Sequence, residues 1–323
     1  EFVFRVSSRA GPIQRASVAY WPREGATTSA ALTWDETRGA YVYFDRLRQP
    51  PWFQLNYRFR AIDRAGNVFQ TADLTQEYAD NTRPWLRRED ANVIVLLSGG
   101  RESLVEDLFK SASGAIGRLE EAFGFSLDYK PYVVVMPDGP SFREWQEYAD
   151  PTLQGITYQG MGYTAQSLAM GEDTLVKTVV PHELTHIFQG FIAEAWNIPT
   201  WFTEGHASYF EVEHFYGRDY EQRVRQWVDR LPTLQGDLGM AGAVGPDGDI
   251  RWDYDVGYSF IKFWIEHYGW ESHRAFWQAQ VTMDFQEAMA FATGKSFADL
   301  ENEWRAYLGA PGPAPTLIPT PTM

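Results

Sequence analysis

Short runs of apolar and aromatic residues alternate with polar ones at period two through the first 78 residues. Phe2–Ser7, Arg15–Trp21, Ala30–Trp34, Ala40–Phe44 and Phe53–Asp63 follow this pattern, which marks strands that bury one face. Pro12, Gly25, Gly39, Pro50-Pro51 and Gly66-Asn67 punctuate them and supply the turns. The spacing predicts a small all-β unit over residues 1–79, two sheets packed face to face. Residues 80–90, beginning Asp80-Asn81-Thr82-Arg83-Pro84-Trp85, then read as a linker.

Beyond the linker the period changes, and strand patterns alternate with helical ones over a second domain at 91–309. Asn92–Leu97 is a continuous apolar run suited to a strand buried on both faces. Ser98-Gly99-Gly100 turns into an amphipathic helix over Glu102–Phe123. Pro131–Met136 gives a second buried strand, Gln154–Tyr163 a third and Thr164–Met170 a fourth. Helical patterns follow from Pro181 to about Ala195, over Trp201–Tyr216 and over Asp219–Arg230. After a Gly- and Asp-rich loop, Leu231–Ile250, they resume over Tyr254–Tyr268, Glu271–Gln278, Phe285–Thr293 and Phe297–Tyr307, with breaks at Gly269 and Gly294. Residues 310–323 are rich in Pro and Thr and read as an extended linker that builds no core.

Composition narrows the chemistry. The chain has 323 residues, 44% hydrophobic and 22% charged, enough for two folded domains. A formal charge of -15 argues against nucleic acid or an anionic membrane surface as partner, since phosphate binding relies on clustered Lys and Arg. With no cysteine, disulfides, thiolate metal sites and Cys nucleophiles are excluded. No apolar run is long enough to span a bilayer, so no membrane insertion by this segment is expected. The start at Glu1 without Met and the stalk-like end lead to the expectation of a trimmed, exported form. It would be extracellular or at the cell surface, with the C-terminal linker serving cell-envelope attachment.

One stretch carries the chemistry: Pro181-His182-Glu183-Leu184-Thr185-His186. Residues four apart on a helix share a face, so His182 and His186 can offer ring nitrogens to one ion, with Glu183 beside them. An open zinc site of this kind polarises water and a substrate carbonyl while the carboxylate takes up the proton. A third ligand has a candidate in Glu204 of Trp201-Phe202-Thr203-Glu204-Gly205-His206-Ala207-Ser208-Tyr209-Phe210-Glu211. It would lie in the first turn of a helix capped by Thr200, where the helix dipole favours a carboxylate.

H-E-L-T-H followed by W-F-T-E-G-H-A-S-Y-F-E resembles the gluzincin metallopeptidases, in particular the peptidase MA-like branch related to the zinc aminopeptidases. The resemblance implies an α+β zincin (thermolysin-like) catalytic domain with a mixed-sheet N-lobe and a helical C-lobe. From its strand spacing the preceding unit would be an immunoglobulin-like or fibronectin-like sandwich, in which Tyr57–Asn67 resembles the closing hairpin of extracellular modules. It further implies one Zn2+ held by His182, His186 and Glu204, and Glu183 as general base. Trp252-Asp253-Tyr254-Asp255-Val256-Gly257 resembles the Y-E-K-G segment of the aminopeptidases, which makes Tyr254 the oxyanion donor, with Tyr258 one turn later as its competitor. The gap from His186 to Glu204 is one residue shorter than in the aminopeptidases, a difference assigned to the loop Trp196–Thr200. Their G-A-M-E-N element, which grips a free amino terminus, is missing.

The expected function is therefore hydrolysis of peptide bonds in a peptide or protein substrate, as an endopeptidase. The alternatives are a catalytically silent surface-binding protein on the same scaffold and a hydrolase of non-peptide amides. In zincins the strand before the active helix pairs with substrate, which makes Gly160–Ala165 the expected edge. His206 is expected at the cleft wall or behind the ligands, and His214, His267 and His273 as surface or core residues. Glu211 and Glu213 are expected on a solvated face, and Asp247, Asp249 and Asp253 in a polar loop.

Overall fold

A computed structural model of the chain describes residues 1–45, 50–145, 155–192, 198–214, 219–231, 233–234, 243–244 and 250–310. The first unit contains β1 (Phe2–Phe4), β2 (Ile13–Pro22), β3 (Thr28–Ala31), β4 (Thr33–Asp35), β5 (Ala40–Tyr43), β6 (Phe53–Asp63), β7 (Val68–Gln70) and β8 (Leu74–Tyr78). One sheet has the order β1-β5-β4, the other β3-β2-β6-β7, with β8 also pairing β6. Alternate residues of the strands supply the core between them: Phe2 and Phe4, Ala16, Val18 and Tyr20, Phe59 and Ala61. Tyr57–Asn67 forms the end of β6 and its turn into β7, where the Asp63 carboxylate accepts from the backbone of Ala65 and Asn67.

Leu86–Glu89, read from the sequence as linker, is instead strand β9. It pairs antiparallel with β10 (Ile94–Leu97), Leu97 opposite Leu86 and Ile94 opposite Glu89. This strand lies at a sheet edge and is held by charge rather than apolar burial, which is why its pattern reads as linker. Arg87 bonds Glu77 at 2.9 Å and Glu89 at 2.7 Å, and Lys130 reaches Glu89 at 2.8 Å.

From β10 the chain crosses through α1 (Glu102–Phe123) to the parallel strand β11 (Tyr132–Met136), continues through the short α2 (Gly139–Arg143), and returns as β12 (Gly155–Tyr158) and β13 (Tyr163–Ser167). The sheet order is β12-β13-β11-β10-β9, with the three central strands parallel and both outer strands antiparallel. The turn between β12 and β13 falls at 159–162, inside the run expected to be a single strand, so the edge is β12 and not Gly160–Ala165. Both faces of the sheet are covered, as the unbroken apolar runs of β10 and β11 require. Val95, Leu97, Val133 and Val135 face the helices, while Ile94, Leu96, Val134 and Met136 face the other way.

That second face is closed by Phe142 and Trp145 and by the β-unit itself, through Phe53, Trp52 and Leu55. Glu24 N–H donates to Gly160 O at 3.0 Å, and Tyr132 Oη donates to Glu77 at 2.9 Å. The two units therefore share a core.

The rest is helical: α3 (Glu172–Thr174), α4 (Val180–Ile192), α5 (Thr200–Tyr209), α6 (Tyr220–Arg225), α7 (Gly257–Gln280), α8 (Phe285–Thr293) and α9 (Phe297–Leu308), with a two-residue ribbon β14 (Ala243–Val244) and β15 (Ile250–Arg251). Gly269, at φ 75° and ψ 176°, breaks α7 where the sequence pattern breaks. Trp201, Trp264, Trp277 and Trp304 are fully buried between these helices. Asp247, Asp249, Trp196 and the Pro/Thr-rich stretch from 311 lie outside the described residues. Among those described, no helix is long and apolar enough to cross a membrane.

Phe53 is only 2% exposed although it belongs to the first unit, so Phe53→Ala should cost about 3–5 kcal/mol. It should lower the stability of both units in one transition, read by denaturant titration of intrinsic fluorescence. A loss below about 1 kcal/mol, or a second unit that unfolds unperturbed, would show that the face does not depend on it.

Candidate metal centre

The helix bearing His182 and His186 does not begin at Pro181, where the sequence places its start or first turn. Helical backbone runs from Glu172 through a π-helical turn, Leu175–Val179, into α4. Proline within a helix removes a donor and crowds the carbonyl four residues back, and the wider π turn accommodates it. Pro181 offers no hydrogen to Val176 or Lys177, and both carbonyls are taken up from outside the helix. Ser111 Oγ donates to Val176 O, and Val212 N–H donates to Lys177 O at 2.8 Å. Thr178 Oγ1 in turn donates to Glu213 O at 2.6 Å. The segment 211–213, just past the end of α5, is thereby tied to the start of α4.

Glu204 is set opposite by the crossing of α5 and α7. A Cβ on Gly205 would lie 2.1 Å from the carbonyl carbon of Gly257, and one on Gly257 would lie 2.0 Å from Trp201 O. Only glycine at both positions allows this backbone contact. It fixes Glu204, the residue before Gly205, and brings Tyr254 alongside. Thr200 does not cap α5; Pro199 holds that position and Thr200 is the first helical residue.

His182, His186 and Glu204 offer ligand atoms that all lie within 4.8 Å of one another. His182 Nε2 is 3.1 Å from Glu204 Oε2, and His186 Nε2 is 3.6 Å from Glu204 Oε1. Both Nδ1 atoms are engaged behind the cluster. His182 Nδ1 is 3.0 Å from the Glu211 carboxylate, and His186 Nδ1 is 2.9 Å from Gln189 Oε1. With each Nδ1 donating rearward, Nε2 of both rings is the nitrogen turned to Glu204, where a cation would take the place of a proton. Two imidazoles and one carboxylate so oriented fit a zinc-type cation, with the second partners fixing ring orientation.

Glu211 corrects the sequence reading. Expected on a solvated face, its side chain is 1% exposed and bonded to His182. Its spacing of seven from Glu204 was the available signal, obscured because α5 ends at Tyr209. Gln189 was also missed, although it shares the His182/His186 face of α4.

Glu183 sits beside the cluster, and its Oε2 accepts from Thr157 Oγ1 on the edge strand β12. A Cβ on Gly155 would come within 3.1 Å of Glu183 Oε1, so strand and carboxylate are in direct apposition. The Tyr254 ring lies 5.8 Å from that of His182 and within 21° of parallel. The Tyr258 ring packs on those of His214 and Tyr220, with centroids 4.5 and 5.4 Å away. His206 and His273 are fully buried and bonded to each other, so His273 is a core residue and His206 lies behind the ligands.

Among the protein's own groups, burial opposes a charge on His182, but Glu204 and Glu211 outweigh it and push its pKa up to about 10. Burial likewise opposes charge on His186, whose pKa is nevertheless raised, chiefly by Glu204. Despite its own burial, the Glu204 carboxyl is held well below the usual range by His186 and His182.

No protein-family model matches the chain, and no curated protein matches it.

The sign of the His182 shift sets a pH dependence. Below about pH 10 the ring holds a proton that a cation binding at Nε2 must displace, so apparent metal affinity should rise with pH through the neutral range. Calorimetry of zinc binding at pH 7 in buffers of different ionisation enthalpy should register release of about one proton or more per ion. Binding without proton release would contradict ligation through His182.

Proposed function

We propose that this chain is a zinc-dependent metallopeptidase of the gluzincin type, cleaving peptide bonds as an endopeptidase. On this reading residues from 91 onward form a zincin-like catalytic domain, and the β-unit is an immunoglobulin-like sandwich. The observation that carries the proposal is the apposition of Glu183 to both the ligand cluster and a sheet edge. Thr157 joins the carboxylate to β12, the last strand of its sheet among the described residues.

A zinc ion held by His182, His186 and Glu204 would supply Lewis acidity at this point. The chain's own residues would do the rest. The edge of β12 that carries no further strand among the described residues would offer backbone groups to an extended peptide, as strand addition requires. Glu183 would take the proton from the attacking water and deliver it to the leaving amine, with Thr157 fixing the carboxylate's orientation. Tyr254, whose ring stacks near that of His182, would donate its phenol hydrogen to the developing oxyanion. The substrate is a peptide or protein, with no nucleic acid partner, and the setting is extracellular or at the cell surface. This setting draws support from the Pro/Thr-rich composition of 310–323.

Casein hydrolysis by zinc-replete protein tests the reading. Glu183→Gln should keep its metal content yet lose activity by about 100-fold or more, and Tyr254→Phe should lose on the order of 100-fold in kcat. Chelator should abolish the native activity. Undiminished cleavage by Glu183→Gln would overturn the assignment of the base, and a native chain that binds zinc but cleaves no peptide would overturn the peptidase reading.

A further inference from the structure

Behind His186 runs a chain of buried polar groups whose hydrogens can be placed from the chemistry of its two ends. A carbonyl only accepts and an indole N–H only donates. His273 Nδ1 lies 3.1 Å from Ala122 O, so Nδ1 carries the hydrogen. Its Nε2 lies 3.1 Å from Trp277 Nε1 and therefore accepts. His206 Nε2, 2.8 Å from the same His273 Nε2, must then be the donor. That leaves His206 Nδ1 with a lone pair, and it accepts from Gln189 Nε2 at 3.0 Å.

A second constraint reaches Gln189 independently. Its Nε2 also lies 3.0 Å from Thr203 O, which can only accept. Both contacts put the NH2 on the same side of the amide and direct Oε1 to His186 Nδ1 at 2.9 Å. His186 Nδ1 must donate, and Nε2 keeps the lone pair on the side of Glu204.

We propose that Gln189, His206 and His273 are positioning residues which fix the tautomer of His186, so that the packing of α1 and α7 governs metal affinity at a ligand on α4. This rests on the reading of His182, His186 and Glu204 as a metal centre. Gln189 is 2% exposed and His206 and His273 are fully buried, so water does not compete for these bonds. The chain starts at an orphan carbonyl in the last turn of α1. Burial pushes the His273 pKa down to about 3, and its ring stays neutral. An unpartnered hydrogen-bonding group anywhere along this path would carry a desolvation penalty, which makes one arrangement of hydrogens strongly preferred.

The test is zinc affinity by chelator competition in the full chain, for Gln189→Leu, His206→Leu and His206→Gln, with 15N NMR of the zinc-loaded histidines. Gln189→Leu should weaken zinc binding by about 10- to 100-fold. His206→Leu should weaken it in the same direction. His206→Gln, whose amide can accept from Gln189 and donate to His273, should lie nearer the native value. In the native chain His186 should show a protonated, slowly exchanging Nδ1 and a metal-bound Nε2, and in Gln189→Leu that Nδ1–H should exchange freely. Native affinity with an unchanged spectrum in Gln189→Leu, or coordination of His186 through Nδ1, would overturn the relay while leaving the metal centre standing. A native chain that binds no zinc in the same assay would instead remove the metal centre, and the relay's role with it.

Discussion

The carboxylate of Glu204 facing two imidazole nitrogens is the contact around which the helical half is built. Ionisable groups taken out of water are costly unless each is paired and each remaining polar atom has a partner. Here His182 and His186 share Glu204 in front and are each held from behind, by Glu211 and Gln189 respectively. Such a set rigidifies when fully satisfied and fails when any member is left alone. A cation could replace the proton on the shared side, because the rearward bonds engage both Nδ1 atoms and leave both Nε2 atoms forward.

Backbone chemistry, more than side-chain packing, sets these distances. Pro181 withholds one hydrogen from this turn, and the Lys177 carbonyl instead holds the segment that carries Glu211. Gly205 and Gly257 let α5 and α7 touch at the backbone, which places Glu204 and Tyr254 on the same cluster. A substitution at any of these positions would act on the centre without removing a ligand. The β-unit contributes in the same indirect way. Phe53 closes the sheet face opposite the helices, and Glu24 holds Gly160 in the turn beside the edge strand.

The three clustered residues were legible in the sequence because helical spacing converts directly into proximity: His182 and His186 lie one turn apart on a single helix. Strands β10 and β11 were legible because burial on both faces demands unbroken apolar runs, whereas β13 buries Thr164, Gln166 and Ser167 and has no such run. What escaped was held by other physics. Strand β9 carries Arg87, Arg88 and Glu89 and is stabilised by ion pairs, so it lacks an apolar period. The turn at 159–162 is short and interrupts a run that keeps strand-like composition on both sides. Glu211 lies past the end of α5, where helical phase no longer says which way a side chain points; the ties of 212–213 to Lys177 O and Thr178 hold its segment against α4. The relay through His206 and His273 joins residues 67 apart in the chain, which no local pattern could bring together.

The most direct test of the metal centre is diffraction from crystals of zinc-replete protein, recorded on both sides of the zinc absorption edge. The expected result is a single anomalous peak about 2.0–2.2 Å from His182 Nε2, His186 Nε2 and a carboxylate oxygen of Glu204. A folded, zinc-replete protein with no peak at that point, or with its zinc bound elsewhere, would contradict the proposed centre and the hydrolytic function built on it.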